Sequence, residues 1–264
     1  MSLHVQEAGE GIPVVLLHGL TATHRYVVMG SKALERSGHR VIAYDARGHG
    51  GSDPAPSPDA YGYEDLVDDL RQVLDERGIA RAVLAGASMG AHTLLRFALE
   101  HPERAAGLVV ATPAYDPVEH GDEASLARWD ALSEGLRSGG VEGFVAAYGD
   151  PGVPEAWHDT VMTVVRQRLS AHEHPAAVAD ALHVTPRSRP FDTLHDLEAI
   201  EVPTVVVADR DEVDPGHPLS VGEDYARVIP GASLIVEGPG KSPIAWQGGQ
   251  LSKIIAEVAA RAEL

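Results

Sequence analysis

Short runs of β-branched residues alternate with longer amphipathic stretches along most of the chain. This alternation is typical of βα units around a parallel sheet, because strands buried on both faces are near-continuous apolar runs. The pattern predicts seven strands, at Leu3–Glu7, Val14–His18, Arg40–Asp45, Arg81–Ala85, Gly107–Ala111, Thr204–Ala208 and Ser233–Val236. Apolar residues at helical spacing predict helices over Tyr63–Arg77, Met89–His101, Trp157–Leu169 and Leu251–Ala260.

The alternation stops between Pro113 and Val202, where the sequence contains helical patterns and no convincing strand. A structureless stretch of that length is unusual inside a compact chain, so a helical insertion is the better interpretation. The sequence therefore predicts an α/β core built from residues 1–112 and 203–264, interrupted by a helical cap over residues 113–202.

The charge and cysteine content narrow the classes of function. Asp and Glu number 39 against 21 Lys and Arg, which gives a formal charge of −18 and argues against binding to nucleic acid or an anionic membrane surface. The absence of cysteine excludes disulfides and thiol chemistry. No signal-peptide pattern or bilayer-length apolar run is present. We expect a cytoplasmic protein with a small-molecule substrate, either a monomer or a homodimer.

The clearest chemical signal is the G-x-S-x-G sequence of Gly86–Gly90, which lies between a predicted strand and a predicted helix. A serine on such a sharp turn is exposed at the edge of the sheet, and the flanking glycines avoid collisions across the turn. The positive end of the following helix points at Ser88. The spacing thus predicts that Ser88 is a nucleophile.

With this motif in place, the chain resembles the α/β-hydrolase fold family over nearly its full length. Leu17–Leu20 is similar to the family's oxyanion loop, Asp45–Asp53 to its D-x-R-G-x-G-x-S loop, and Val202–Asp211 to the strand that leads to its catalytic acid. These motifs occur in family order. The resemblance implies a mostly parallel α/β-hydrolase sheet with helices on both faces and an inserted helical cap.

The resemblance also implies catalytic roles for individual residues. Ser88 would attack a carbonyl, and the backbone amides of Leu20 and Met89 would hold the oxyanion. Asp211 matches the family's acid best, although Asp209 and Asp214 stand in the same loop and remain alternatives. No metal or organic cofactor is expected.

The family's catalytic histidine is replaced in this chain. The stretch Gly240-Lys241-Ser242-Pro243 stands where a family member would have Gly-His-Ser-Pro. An unperturbed lysine is protonated at neutral pH, and a neighbouring Asp211 would stabilise that ammonium. With Lys241 in the base position, we expect a hydrolase that is impaired near pH 7. Whether Lys241 was selected for a function or introduced by engineering stays open.

Further residues carry weaker hypotheses. His217 could be a relocated base or an ordinary loop histidine. His18 and His49 are expected to support loops, and the pair His172 and His174 is expected to be exposed in the cap with no metal bound. Aromatic residues of the cap could line a substrate pocket or form the core of the cap: Trp129, Phe144, Tyr148 and Trp157.

The sequence predicts a serine hydrolase that cleaves carboxylic ester-type bonds in a small or medium apolar substrate, with the specificity of a carboxylesterase. Two alternatives remain at this stage. The chain could be a ligand-binding or catalytically disabled protein on the same scaffold, or it could carry out a lyase-type reaction there, since fold does not fix function.

Overall fold

One seven-stranded sheet organises the protein, which is described by a computed structural model over residues 1–263. The strands are β1 (Val5–Ala8), β2 (Ile12–Leu17), β3 (His39–Tyr44), β4 (Ala82–Ala87), β5 (Ala105–Ala111), β6 (Thr204–Ala208) and β7 (Ser233–Val236). Their order across the sheet is β1-β3-β2-β4-β5-β6-β7. Only β1 pairs in the antiparallel sense, so the predicted mostly parallel α/β sheet is confirmed.

Eight helices accompany the strands within residues 1–263. They are α1 (Ala33–Arg36), α2 (Tyr63–Glu76), α3 (Met89–Glu100), α4 (Glu123–Tyr148), α5 (Glu155–Leu169), α6 (Pro175–Val184), α7 (Leu219–Val228) and α8 (Gly248–Ala259). Short 3-10 helices cover His24–Tyr26, Pro102–Arg104, Thr185–Arg187, Leu194–Ala199 and Ile244–Trp246. None of the helices in the described range has the length and apolar character needed to cross a bilayer.

Alternation along the strands divides the core between the two faces of the sheet. On β2, Val15 and Leu17 point to one face, where they join residues of α2, α3 and α7. Val14 and Leu16 point to the other face, where they join residues of α1 and α8. This is the result expected when successive side chains of a strand point to opposite sides and both sides are covered by helices.

The segment between β5 and β6 is helical and contains α4, α5 and α6 but no strand. We call residues 113–202 the cap segment. It has an apolar cluster of its own, which includes Leu136, Phe144 and Leu182. Helix α4 is interrupted at Gly140, whose φ of 60° is a conformation that favours glycine. The division into a core and a separate cap domain stays a prediction.

Candidate active site

Ser88 occupies a strained turn between β4 and α3. Its φ of 50° and ψ of −115° lie outside the regions that non-glycine residues prefer. The turn is tight: a Cβ on Gly86 would collide with the Gly90 carbonyl, and one on Gly90 would collide with the Leu17 carbonyl. Backbone strain of this kind typically costs about 1–3 kcal/mol and is concentrated at functional sites. The glycines predicted for the turn are therefore required by its geometry.

The loop after β2 lies directly against Ser88. A Cβ added to Gly19 would stand 3.4 Å from the Ser88 Cβ and 3.3 Å from the Ala87 carbonyl oxygen. The side chains of Leu20 and Met89 pack into one small apolar cluster. The structure thus brings together the nucleophile and the two residues predicted to supply oxyanion amides, at the N-terminus of α3.

His18 holds the loop in place. Its Nδ1–H donates to the Gly19 carbonyl at 2.8 Å, while Nε2 accepts a hydrogen bond from the Ala46 amide at 2.9 Å. Burial lowers the pKa of His18, which favours the neutral imidazole that this pair of bonds requires. Because both ring nitrogens are engaged, His18 is a structural support and is not free to accept a proton from Ser88.

His172 differs from the sequence expectation. It was expected to be an exposed residue of the cap, but it is buried, and its Nδ1 accepts from the Gly50 amide at 2.8 Å. Its Nε2–H donates to the Thr21 carbonyl at 3.0 Å. The local sequence is polar and gave no sign that tertiary contacts bury this ring. His172 therefore ties the cap segment to the loop that follows Leu20.

His49 lies between His18 and His172, with ring centroids 5.1 Å and 5.4 Å away. Its Nδ1–H donates to the Arg47 carbonyl at 2.9 Å, and burial moves its pKa well below the ordinary histidine value. The three rings form a buried, neutral group beside the oxyanion loop, in agreement with the loop-supporting role expected for His49.

The expected ion pair between Asp211 and Lys241 does not form within residues 1–263. Both residues are exposed. Asp211 instead accepts a hydrogen bond from the Leu219 amide at 2.7 Å and so caps the first turn of α7. Lys241 lies in a turn in which its backbone amide donates to Gly238 at 3.0 Å. Asp211 is therefore not positioned to stabilise the Lys241 ammonium, contrary to the expectation from the sequence.

A histidine and an aspartate do pair in the same loop. Nδ1 of His217 lies 2.9 Å from both carboxylate oxygens of Asp214. Burial alone would lower the pKa of His217, but the charge and hydrogen bond of Asp214 outweigh it and raise the pKa above the ordinary value. The His217 side chain remains 26% exposed. No hydrogen bond joins this ring to Ser88 in the described part of the chain.

Asp209 is a third acidic residue of this loop, and it is fully buried. Neither of its carboxylate oxygens has a hydrogen-bond partner within residues 1–263. Burial, together with the nearby charges of Asp214 and Glu237, raises the pKa of Asp209 to about 8. A carboxyl group in this environment favours its protonated form at neutral pH.

Comparison with known proteins identifies the family of this site. Residues 12–148 match the family described as alpha/beta hydrolase fold. The chain belongs to the alpha/beta hydrolase fold family. It is 33% identical over 215 residues to a Variovorax paradoxus (strain S110) protein named as a candidate carbamate hydrolase, RutD, covering 80% of this chain and 79% of that protein.

Two further relatives extend the likeness over almost the whole hydrolase. The non-heme chloroperoxidase CPO-A1 of Kitasatospora aureofaciens is 28% identical, covering 96% of this chain and 93% of its own. A thermophilic esterase from Thermogutta terrifontis, solved with malate bound, superposes with a TM-score of 0.78 at 26% identity, covering 97% and 92% of the two chains. The protein is an enzyme with hydrolase activity.

Of the four aromatic residues predicted to line a pocket, three lie in or beside the apolar cluster of the cap segment and one contacts the core. Phe144 is buried in the apolar cluster of the cap segment, and Tyr148 stacks on it with a centroid distance of 5.9 Å. Trp157 is half-buried and contacts Trp246 of the core edge-to-face at 6.0 Å. Trp129 is half-buried beside the cap cluster. Phe144 is therefore core of the cap, whereas Trp157 lies where cap and core meet.

Two open surface clefts lie away from Ser88. One of about 630 Å³ includes Arg96 and Phe191, and one of about 460 Å³ includes Arg81 and Pro203. Neither contains a residue of the Gly86–Gly90 turn (the nucleophile elbow), of the oxyanion loop Leu17–Leu20 or of the loop between β6 and α7 that contains His217. The side chains of His4, His24 and Asp45 form a cluster with the geometry of metal ligands, on the side of the loops that is next to His18. The Asp45 carboxylate already accepts hydrogen bonds from His24 Nδ1 at 2.8 Å and from the His24 amide at 2.7 Å.

Three residues near the site were not predicted from the sequence: His92, Arg168 and Trp246. His92, one turn after Ser88, accepts the amides of Ala114 and Tyr115 at 3.0 Å and 3.2 Å and so fixes the loop after β5. Trp246 contacts Trp157 of the cap segment. Arg168 lies on α5, and its buried Nε has no hydrogen-bond partner among residues 1–263. His92 could have been noticed in the sequence, because a polar residue four positions after the nucleophile lies on the same face of the helix. No pattern in the sequence singled out Arg168.

Proposed function

We propose that the protein is a serine-nucleophile hydrolase that cleaves carboxylic ester-type bonds in a small or medium substrate. The observation that carries this proposal is the strained Ser88 backbone, with φ of 50°, beside a loop whose Gly19 approaches within contact distance of it. A nucleophile at a helix N-terminus with two convergent backbone amides suits acyl transfer, because negative charge develops on the carbonyl oxygen.

The proposed reaction has two stages. The Ser88 Oγ bonds to the carbonyl carbon while its proton passes to a base, and the amides of Leu20 and Met89 stabilise the oxyanion. The alcohol leaves with that proton, and an acyl-serine remains. Water then attacks the acyl carbon while the same base accepts its proton. The bond from the acyl carbon to the Ser88 Oγ breaks, the base returns the proton to Oγ, and the carboxylic acid is released.

We assign the base to His217, held by Asp214. A hydrogen bond from Nδ1–H to Asp214 leaves Nε2 as the proton acceptor, which is the tautomer a general base requires. The raised pKa favours an imidazole that accepts a proton readily, and its partial exposure leaves the ring accessible.

The topology supports a position for His217 near the nucleophile. Ser88 follows β4 and His217 follows β6, and a single strand separates them in the sheet. Adjacent strands are about 4.8 Å apart, so the two strand ends are separated by about 10 Å, which a loop side chain can bridge. His217 also contributes to lowering the pKa of His92, which lies one turn after Ser88 on α3.

Lys241 has no role as a base in this proposal. Lys241 is exposed, and within residues 1–263 Asp211 does not pair with it but binds the Leu219 amide. A lysine acts as a base only where burial lowers its pKa. The impairment expected from Lys241 is therefore not part of the proposed function, because the imidazole of His217 replaces the missing histidine.

The experiment is labelling with a serine-directed fluorophosphonate combined with hydrolysis of 4-nitrophenyl esters. We expect stoichiometric labelling at Ser88 and turnover, both lost in Ser88→Ala, with thermal stability nearly unchanged. Ser138→Ala, on the exposed face of α4, is the matched control and should retain both activities. An unlabelled, inactive wild-type protein would contradict the proposal and favour the ligand-binding alternative. Labelling that persists in Ser88→Ala would refute the assignment of the nucleophile.

A further inference from the structure

Arg168, near the C-terminal end of α5, has a half-buried side chain that ends in a guanidinium group. Its Nε is shut off from solvent and has no hydrogen-bond partner within residues 1–263. In a chain with 39 acidic and 21 basic residues, acidic partners are plentiful. A donor that is removed from water without gaining a partner is costly, and proteins normally pair such groups.

Other arginines of the chain show the usual arrangement. The buried Arg47 donates to Asp69 through two nitrogens at 2.8 Å and 2.7 Å. Arg166, only two residues before Arg168 on α5, contacts both oxygens of Glu142 at 2.8 Å and 3.1 Å. Arg168 therefore differs from Arg47 and from Arg166, its neighbour on α5.

Arg168 lies where the cap segment meets the oxyanion loop. The next residue, Leu169, is buried in the cap cluster against which Leu20 of the oxyanion loop packs. Four residues after Arg168, the Nε2–H of His172 donates a hydrogen bond to the Thr21 carbonyl at 3.0 Å. The C-terminal end of α5 thus lies above the oxyanion loop.

The electrostatic neighbours of Arg168 belong to the same region. Its charge opposes the rise in the pKa of His217 and adds to the fall in the pKa of His172. The carboxylate whose charge raises the pKa of Arg168 is that of Asp214, and this carboxylate already binds the His217 ring. The guanidinium and the proposed base accordingly share one polar region between cap and core.

We propose that Arg168 binds a carboxylate carried by the substrate, so that the ester cleaved by Ser88 belongs to a molecule with a second, free acid group. The planar fork of an arginine matches a carboxylate bidentately, and such a ligand would supply the missing counter-charge. A half-ester of a dicarboxylic acid, or a lactone bearing a carboxylate, has this chemistry. This inference rests on the proposed function and specifies its substrate class.

The kinetic test compares two matched esters, 4-nitrophenyl hydrogen glutarate, which has a free carboxylate, and the neutral 4-nitrophenyl methyl glutarate. We expect the wild type to prefer the acidic ester in kcat/KM. Arg168→Gln should lose about 10- to 100-fold on that ester, mainly through KM, and little on the neutral one. Arg168→Lys should restore part of the preference. Arg166→Gln is the matched control and should retain it. Equal losses on both esters would overturn the proposal.

A binding test separates this inference from the proposed function, because it needs no turnover. Calorimetry measures glutarate binding to the Ser88→Ala protein, with neutral glutaramide as the control ligand. We expect glutarate to bind, glutaramide to fail, and the additional change Arg168→Gln to abolish binding. Binding without ester turnover in the wild type would leave Arg168 supported and the proposed function refuted.

Two results of the binding test would contradict the role of Arg168. Unchanged glutarate affinity in the Arg168→Gln protein would show that the carboxylate binds elsewhere or not at all. Inorganic phosphate binding as tightly as glutarate would show a general anion site and overturn the commitment to a carboxylate.

Discussion

His217 and Asp214 form a dyad within one loop, with the imidazole Nδ1 at 2.9 Å from each carboxylate oxygen. The two residues are three positions apart, in the loop that follows β6. Their pairing gives the hydrolase an oriented imidazole although lysine stands at the position where the family has its histidine. The chemistry proposed for Ser88 depends on this pair.

Replacing Asp214 should impair the dyad in a way that a pH profile reveals. In Asp214→Asn the ring loses the charge that raises the pKa of His217 and loses its orientation. We expect kcat/KM on a 4-nitrophenyl ester to fall by roughly 10²–10⁴-fold. Since the base works in its neutral form, the acid limb of the residual activity should move to lower pH.

The matched control is Asp211→Ala, which removes the carboxylate that accepts the Leu219 amide at the start of α7. Its cost should appear in the free energy of unfolding, at about 1 kcal/mol, and kcat/KM should change little. If Asp211→Ala showed the large loss of activity and the shifted profile while Asp214→Asn behaved as wild type, the catalytic acid would be Asp211, as the family resemblance implied.

A substitution at Gly19 tests whether the oxyanion loop lies against the nucleophile. A methyl group at this position would lie 3.3 Å from the Ala87 carbonyl oxygen and 3.4 Å from the Ser88 Cβ, so the loop must move by a few tenths of an ångström. We expect Gly19→Ala to lower kcat and the rate of fluorophosphonate labelling by about tenfold, with little effect on the melting temperature.

Gly139→Ala serves as the control for this change, since an added Cβ there meets no atom within 4 Å. It should leave kcat and labelling unchanged. Wild-type rates in Gly19→Ala would mean that the backbone amides of this loop do not contact the reacting carbonyl.

Asp209 should make the stability of the protein depend on pH. Its pKa of about 8 in the folded state lies above the ordinary value of an aspartate, so the folded state retains a proton that the unfolded state releases. The free energy of unfolding should therefore fall as the pH rises from about 4 to 8, by up to about 1.4 kcal/mol per pH unit from this group. Asp209→Asn should make that slope shallower.

Urea unfolding at several pH values measures the slope. The fully exposed Asp159 provides the control, and Asp159→Asn should retain the wild-type slope. An identical slope in Asp209→Asn and the wild type would show that the Asp209 carboxyl ionises normally in the fold.

Much of the fold could be predicted because the strands are buried on both faces and read as apolar runs. β6 and β7 coincide with their predicted spans, and the others differ at their ends by a few residues. The elbow was predictable for a related reason: Gly86 and Gly90 are required by local backbone geometry, which a short motif records.

The remainder of the site depends on contacts between distant segments. His172 was expected on the surface because its neighbours are polar, yet it is buried through hydrogen bonds to Gly50 and Thr21. The Arg168 Nε, which lacks a partner in the part of the chain that the structure describes, is buried by the packing of α5, which no local pattern encodes. The exposure of Asp211 and Lys241 has the same origin, since a motif match does not specify which side chains meet.

The most direct test of the account is kcat/KM on a 4-nitrophenyl ester at neutral pH for two single variants, His217→Gln and Lys241→Ala. If His217 is the base of a Ser88 hydrolase, His217→Gln should lose roughly 10²–10⁴-fold and Lys241→Ala should stay within a few-fold of the wild type. The opposite ranking, with Lys241→Ala inactive and His217→Gln fully active, would contradict the account.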